Sequence, residues 1–317
     1  MEAKVFNKEK GAHVQVQPFR IKDLMVALEL GSSDEAVLNY IDFLSENIPI
    51  ATAYFAHVLP RFDLYSQYYK KEAAGLISNY ELNSEVIDSM RKQLEKRKLK
   101  ANTLRLKLEV QEGNPLEKLL EEAADREVDM LVIGQHAGAG EHGVLARNLA
   151  RKVSGNALII PEKAKISLSK ILVPVDFSKN SIQAFETALM IKERLGDKLE
   201  VEAVHVYEMP NLSIYKVQKT YDKLKKMVEN DRRQAFHNFM ENRFPAYLDK
   251  VNYVMIERES PGIARYIMNY AEEANFDMII IGAKGHSRVE RLLLGSVTEK
   301  LCALNQEIPT MIIREDV

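Results

Sequence analysis

Between residues 282 and 298 the chain reads GAKGHSRVERLLLGSVT: Gly282, two residues, Gly285, nine residues, then Gly295 and Ser296. The segment follows a short apolar run at 278–281 that reads as a strand, and it leads into a stretch of helical period. A glycine at the end of a parallel strand lets backbone approach a ligand, and open α/β sheets bind ligands at the carboxyl ends of their strands. Gly295 and Ser296 open a helix, whose first N–H groups lack partners and carry the positive end of its dipole. Phosphate is the ligand that this chemistry favours. Lys284, Arg288 and Arg291 put positive charge in the loop between. Ser296 and Glu299 also spell S-x-x-E, a capping box that would satisfy the helix start without any ligand. A capping box, however, has no need of glycine at 282, 285 and 295.

The elements that must position this loop occur twice. The run LMVALE at 24–29 matches ILVPVD at 171–176 at an offset of 147, and FAHV at 55–58 matches AVHV at 203–206 at 148. VDMLVIG at 128–134 matches FDMIIIG at 276–282, again at 148, whereas ALII at 157–160 matches TMII at 310–313 at 153. The first copy therefore has five fewer residues between its glycine and its last strand. Within each copy, short β-branched runs alternate with helical segments, the pattern of βαβ units and a parallel sheet. In the second copy the expected strands lie near 170–176, 200–206, 250–257, 277–281 and 309–313. The expected helices are 180–195, 215–244, 261–274, with Pro261 in the first turn, and 296–304. A short polar linker at 161–169 separates residues 1–163 from 164–317. The fold expected is α/β: two tandem doubly wound, five-stranded parallel-sheet domains packed as an intrachain pseudo-dimer, with 157–160 and 310–313 at the junction.

With its repeat and its loop, the chain resembles the universal stress protein family, whose ATP-binding members carry G-2x-G-9x-G-(S/T). The resemblance spans residues 20–315 and is strongest over 277–300. It implies that Asp176 and the backbone at Val206 hold adenosine, while Gly282, Gly285, Gly295, Ser296, Val297 and Thr298 hold phosphates. It implies ATP as cofactor, with or without Mg2+. The physics of the residue types agrees: a carboxylate accepts from ribose hydroxyls or an adenine amine, and hydroxyls at a helix start donate to phosphate oxygens. The first copy departs from the pattern. Glu29 stands where Asp176 does, and alignment of the last helices puts Arg147 and Asn148 opposite Gly295 and Ser296. The first copy is expected to carry a degenerate loop and to serve as structural partner of the second.

The remaining residues narrow the function. Charged residues make up 28% of the chain, yet the formal charge is only −2, so neither nucleic acid nor an anionic membrane is an expected partner. No apolar run is long enough to span a bilayer, and the N-terminal residues lack the core of a signal peptide. Cys302, the single cysteine, excludes an intramolecular disulfide and fits a cytoplasmic setting. Gly138, Gly140 and Gly143 spell G-x-G-x-x-G with Glu162 downstream, but a dinucleotide fingerprint follows the first strand of its unit and this one follows the fourth. It reads as a remnant of a decayed loop. His57 and His205 recur at equivalent strand ends, which suggests packing or hydrogen bonding, and His286 sits in the phosphate loop. No spaced metal-ligand set, Walker loop or nucleophile elbow occurs. The function expected is an ATP-binding stress or regulatory protein whose occupancy biases its conformation or the binding of an unidentified protein partner, with homodimerisation compatible. The alternatives are a slow ATPase or adenine-nucleotide hydrolase, for which no base is evident, and a nucleotide-free interaction scaffold.

Overall fold

The computed structural model describes residues 16–31, 33–59, 79–95, 97, 105–136, 141–209, 218–285 and 294–314, with backbone alone at 79–81, 141–143 and 218–220. The first copy contributes β1 (Ile21–Ala27), α1 (Asp34–Asn47), β2 (Ile50–Leu59), α2 (Asn79–Glu95), β3 (Arg105–Glu112), α3 (Pro115–Asp125), β4 (Met130–Gln135), α4 (Glu141–Lys152) and β5 (Asn156–Pro161). The second contributes β6 (Lys170–Pro174), α5 (Lys179–Leu195), β7 (Glu200–Tyr207), α6 (Gln218–Arg243), β8 (Val251–Glu257), α7 (Ile263–Glu273), β9 (Met278–Gly282), α8 (Ser296–Leu304) and β10 (Thr310–Ile313).

Each copy is a doubly wound unit with parallel strands, and the two sheets join into one ten-stranded sheet of order β3-β2-β1-β4-β5-β10-β9-β6-β7-β8. The join is antiparallel, with Thr310 opposite Ile159 and Ile312 opposite Ala157, which puts the two final strands at the junction as expected. Helices cover both faces, so the central strands are apolar throughout: Met278, Ile279, Ile280 and Ile281 are all buried, which explains why β9 reads as an unbroken run without alternation. One core layer contains Leu24, Phe55, Phe185 and Ile280, the other Met25, Leu131, Ile279 and Leu301, and each layer draws on both copies.

Side chains lock the junction reciprocally. The Arg314 guanidinium donates to the carbonyls of Ala150 and Arg151 at 2.8 Å, at the end of α4, where a cation also complements the helix dipole. From the other side, Gln135 donates to the carbonyls of Cys302 and Asn305 at 3.1 Å, at the end of α8. Each copy thus supplies partners for carbonyls that the other's last helix leaves unpaired.

The duplication reaches the backbone. Leu30 and Phe177, one residue beyond Glu29 and Asp176, both lie in the left-handed region at φ 60° and 61°, as do Glu127 and Asn275 at 48° and 55°. Asp129 accepts from the N–H groups of Lys22 and Asp23, and Asp277 from those of Ser169 and Lys170, clamping the start of the fourth strand to the start of the first in each copy.

Two expectations need correcting. Helix α7 begins at Ile263 with Gly262 as its N-cap at φ 114°, so Pro261 lies outside the first turn; a residue in that left-handed conformation cannot continue a helix backward. Arg147 and Asn148 lie inside α4 rather than at its start. The helix ends give the true equivalence, since Val153 caps α4 through Leu149 as Asn305 caps α8 through Leu301. On that alignment Gly143 and Val144 stand opposite Gly295 and Ser296.

Candidate nucleotide cleft

In the second copy β6 lies between β9 and β7, so the chain winds outward in opposite directions from β6 and β9. A crevice opens at such a switch point beyond the strand carboxyl ends. A cavity of about 240 Å3 occupies it. Its lining includes all eight residues singled out from the sequence: Asp176, Val206, Gly282, Gly285, Gly295, Ser296, Val297 and Thr298.

Four elements deliver them. After β6 the chain turns at left-handed Phe177, and Ser178 caps α5 by accepting from the N–H of Ser181. The Asp176 carboxylate accepts from the N–H of Ser178 at 3.0 Å, and the Asp176 N–H donates to the Ser181 hydroxyl at 3.3 Å. The loop after β9 is tied to this turn by a hydrogen bond from the Ser178 hydroxyl to the Lys284 carbonyl at 3.3 Å. It is tied to α8 by the Gly295 N–H, which donates to the Ala283 carbonyl at 2.8 Å. On β7, Val204 and Val206 share the face turned toward the cavity, and Ile263 and Ile267, one turn apart on α7, complete an apolar wall.

The glycines have distinct jobs. A Cβ on Gly282 would lie 2.6 Å from the backbone carbon of Asn180, so this residue makes room for the start of α5; Gly134 does the same opposite Val37 in the first copy. Gly282 thus has a packing duty besides its place in the cleft lining. A Cβ on Gly285 would collide with the Asp176 carboxylate, and one on Gly295 would come within 3.3 Å of Lys284 Cα. These two keep the floor of the cleft open.

Helix α8 starts at Ser296 with Gly295 as N-cap and no side-chain cap. Ser296 is the first helical residue, so the S-x-x-E box does not form, and its hydroxyl is exposed. The N–H groups of Ser296, Val297 and Thr298 belong to the first turn, where helical geometry provides no carbonyl. The Thr298 hydroxyl donates to the Gly282 carbonyl at 2.8 Å, which binds α8 to β9 and leaves its N–H, rather than its hydroxyl, as its donor toward the cleft. Arg288, Arg291 and His286 lie outside the described residues, as do Gly138 and Gly140 of the G-x-G-x-x-G run.

His205 also lines the cleft; its Nδ1 lies 2.7 Å from the Val175 carbonyl and its Nε2 lies 3.2 Å from Arg232 Nη1. Since Arg232 can only donate, Nε2 accepts and Nδ1 carries the proton. Burial, with Arg232 beside the ring, holds the His205 pKa below its ordinary value. His57 repeats the Nδ1 contact with Leu28 at 2.8 Å, so the symmetric histidines fix the strand end that precedes the carboxylate. Sequence reasoning had not placed Ser181, Ile263 or Ile267; the i, i+4 spacing of the two isoleucines just past Gly262 was the available signal.

The equivalent place in the first copy is filled differently. Glu29 Oε2 pairs with His136 Nε2 at 2.8 Å, and buried Asp34 accepts from the N–H groups of Glu29 and Leu30 at 3.0 and 2.8 Å. Burial raises the Asp34 pKa above the usual carboxylate value against those bonds. Among the described residues no group of three or more histidine, cysteine or acidic side chains is arranged to hold a metal, and no helix is long and apolar enough to cross a membrane.

A doubly wound α/β unit repeated in tandem, with an anion-favouring helix start at the switch point of one copy, is the class that fold and site define. The chain belongs to the universal stress protein family, whose sequence model matches residues 20–161 and again 168–314. Among curated relatives it is 24% identical over 147 residues to universal stress protein MJ0531 of Methanocaldococcus jannaschii, covering 46% of this chain and 82% of that protein. It is 25% identical over 159 residues to MJ0577 of the same organism, covering 47% and 96%. Each of these relatives thus corresponds in length to half of this chain. Whole-chain likeness appears among solved structures: a universal stress protein from Archaeoglobus fulgidus superposes with a TM-score of 0.61 at 16% identity, over 92% of this chain and 96% of that one. A putative universal stress protein from Pseudomonas aeruginosa gives 0.60 at 13% identity, over 93% of each. At these identities the structures establish the tandem fold and nothing finer.

Proposed function

We propose that the second copy binds ATP, with or without Mg2+, and that the protein is a nucleotide-responsive regulator of the cytoplasm rather than an enzyme. The observation that carries this reading is the convergence of Asp176, the Gly285 and Gly295 floor and the first turn of α8 on one cleft with apolar walls. These residues fit the ligand. Adenosine would lie between Val204, Val206, Ile263 and Ile267 with its hydroxyls or amine toward Asp176. The phosphates would meet the N–H groups of Ser296, Val297 and Thr298, where the helix dipole favours negative charge. Among the described residues no side chain at the cleft stands out as a base for an attacking water, which favours a sensor over a hydrolase. The first copy, with Glu29, Asp34 and His136 in the corresponding place, acts as structural partner.

Purified protein, denatured and chromatographed, should release close to one adenine nucleotide per chain. Gly295→Arg should reduce this to none while the chain still folds, because φ −68° and ψ 153° suit any residue, although the new Cβ would press on Lys284 Cα at 3.3 Å and should lower the thermal midpoint somewhat. Two nucleotides per chain would refute the assignment of the first copy. A wild-type protein that neither carries nor takes up ATP in calorimetry would refute the site.

A further inference from the structure

The ten-stranded sheet ends in two parallel edges, and they differ in what they offer. Strand β3 pairs with β2 alone among the described residues, and its first half is exposed, Leu106 at 42%. The Gly113 N–H donates to the Leu59 carbonyl, which fixes the phase of the ladder: odd-numbered residues of β3 turn their backbone toward β2. Leu106, Leu108 and Val110 therefore direct their N–H and C=O groups outward, a template for another strand.

The side chains along this edge are self-complementary. Placed antiparallel to itself about a two-fold axis at Leu108, β3 sets Leu106 opposite Val110 and Leu108 opposite its own copy, all as hydrogen-bonded pairs. Between them, at the closer non-hydrogen-bonded positions, Lys107 faces Glu109 and Arg105 faces Gln111. From 105 to 111 the charged and apolar residues fall on separate faces. Leu108 is in register with Phe55 on the side of α2, whereas Lys107 is in register with Tyr54 on the side of α3, its Nζ 4.8 Å from that ring. Glu109 already meets Arg126 at 2.9 Å, so a lysine from the second copy would add to an oriented carboxylate.

Charge also selects this register over its neighbours. Sliding the copies by one hydrogen-bonding step either way puts Lys107 opposite Lys107 or Glu109 opposite Glu109, and like charges directly opposite are destabilising. The other edge, β8, has no charged residue before Glu257 and so no such selection. We propose that β3 is a homodimerisation edge: two chains pair β3 to β3, antiparallel about Leu108, with about six main-chain hydrogen bonds and two Lys107–Glu109 ion pairs. Two-fold pairing of one patch with itself is the commonest oligomer geometry. The sheet then runs unbroken through both chains, and the second-copy clefts lie toward its outer ends, clear of the interface.

Sedimentation equilibrium of the full chain tests this. Wild-type protein should reach about 72 kDa, twice the 36.2 kDa chain mass, with dissociation favoured by high salt. Leu108→Pro removes an outward N–H and should leave a monomer, since proline is tolerated on the solvent side of an edge strand. Lys107→Glu and Glu109→Lys should each be monomeric, and their equimolar mixture should regain the dimer because opposite charges again face each other. A monomeric wild type at high micromolar concentration overturns the proposal. So does a dimer that survives either charge reversal, or folded single variants whose mixture stays monomeric.

Discussion

Gly282 and Gly285 stand three residues apart in one loop, yet alanine at each should have opposite consequences. At Gly282 the new Cβ would sit 2.6 Å from the Asn180 carbon and 2.8 Å from its carbonyl oxygen. That backbone is the first turn of α5 and cannot yield without moving the helix, so Gly282→Ala should cost about 1–3 kcal/mol, the usual range for overpacking. For a domain of about 150 residues each kcal/mol lowers the midpoint by about 2–4 °C, which gives a drop of about 2–12 °C. At Gly285 the Cβ meets only the tip of Asp176, a side chain that can rotate away. Rotation gives up the bond that the carboxylate accepts from the Ser178 N–H, so unliganded stability should fall by only about 0.5–1.5 kcal/mol. With adenosine bound as proposed, the rotation would take the carboxylate away from it, and losing a hydrogen bond to a charged group costs about 1.5–3 kcal/mol. ATP affinity should therefore fall by about ten- to 150-fold. Thermal unfolding without nucleotide and calorimetric titration with ATP separate the two effects. Wild-type ATP affinity in Gly285→Ala would refute the role given to Asp176, and an unchanged midpoint in Gly282→Ala would refute the packing argument.

Two further perturbations probe the frame around the cleft. His205 is held neutral because its folded pKa lies below the ordinary 6.5, so between the two values the unfolded chain binds a proton that the folded chain does not. Its contribution to stability is complete above about pH 6.5 and is lost as pH falls toward the folded value. The melting temperature should decline from pH 7 to pH 5, and His205→Gln should flatten that slope; an unchanged slope would mean that other groups titrate there. Arg314→Met removes both hydrogen bonds to the end of α4 and should lower stability by about 1–3 kcal/mol. The loss should appear as a lower urea midpoint and faster proteolysis between the copies, and an unaltered midpoint would show that the junction does not depend on this residue.

Periodicity and repetition made the architecture legible, because buried parallel strands such as β9 and the amphipathic α7 leave unambiguous patterns. The expected 296–304 helix matches α8 residue for residue. What stayed hidden was set by contacts distant in sequence. Nothing local in Gln135 or Arg314 shows that each reaches a helix end more than a hundred residues away. The start of α4 was misplaced because a loop shortened by five residues allows more than one alignment, and only the capped helix ends decide between them. Gly282 also has a packing duty that its spacing did not reveal, since a Cβ there would meet the backbone of Asn180. By contrast, the cleft residues were recoverable because a phosphate-favouring helix start needs glycine and hydroxyl residues in a fixed order, and that order survives in one dimension.

The way the two copies diverge is itself an argument for a single nucleotide site. Positions with a duty to the fold are matched across the repeat: Gly134 with Gly282, Asp129 with Asp277, His57 with His205, and left-handed Leu30 with Phe177. Three positions that line the cleft are not. Asp176, Ser181 and Lys284 correspond to Glu29, Asp34 and His136. The exchange of Ser181 for buried Asp34 adds a carboxylate where the second copy has a neutral hydroxyl, and Lys284 gives way to an imidazole engaged by Glu29. At an effective dielectric near 20, a full negative charge at ~6 Å repels each phosphate charge by about 3 kcal/mol, enough to offset what a helix N-terminus contributes. Replacing Asp34 by Ser would test whether this carboxylate is the barrier. If it is, the variant should show weak ATP uptake beyond one per chain, and if stoichiometry stays at one, the shortened loop rather than the charge closes the first cleft.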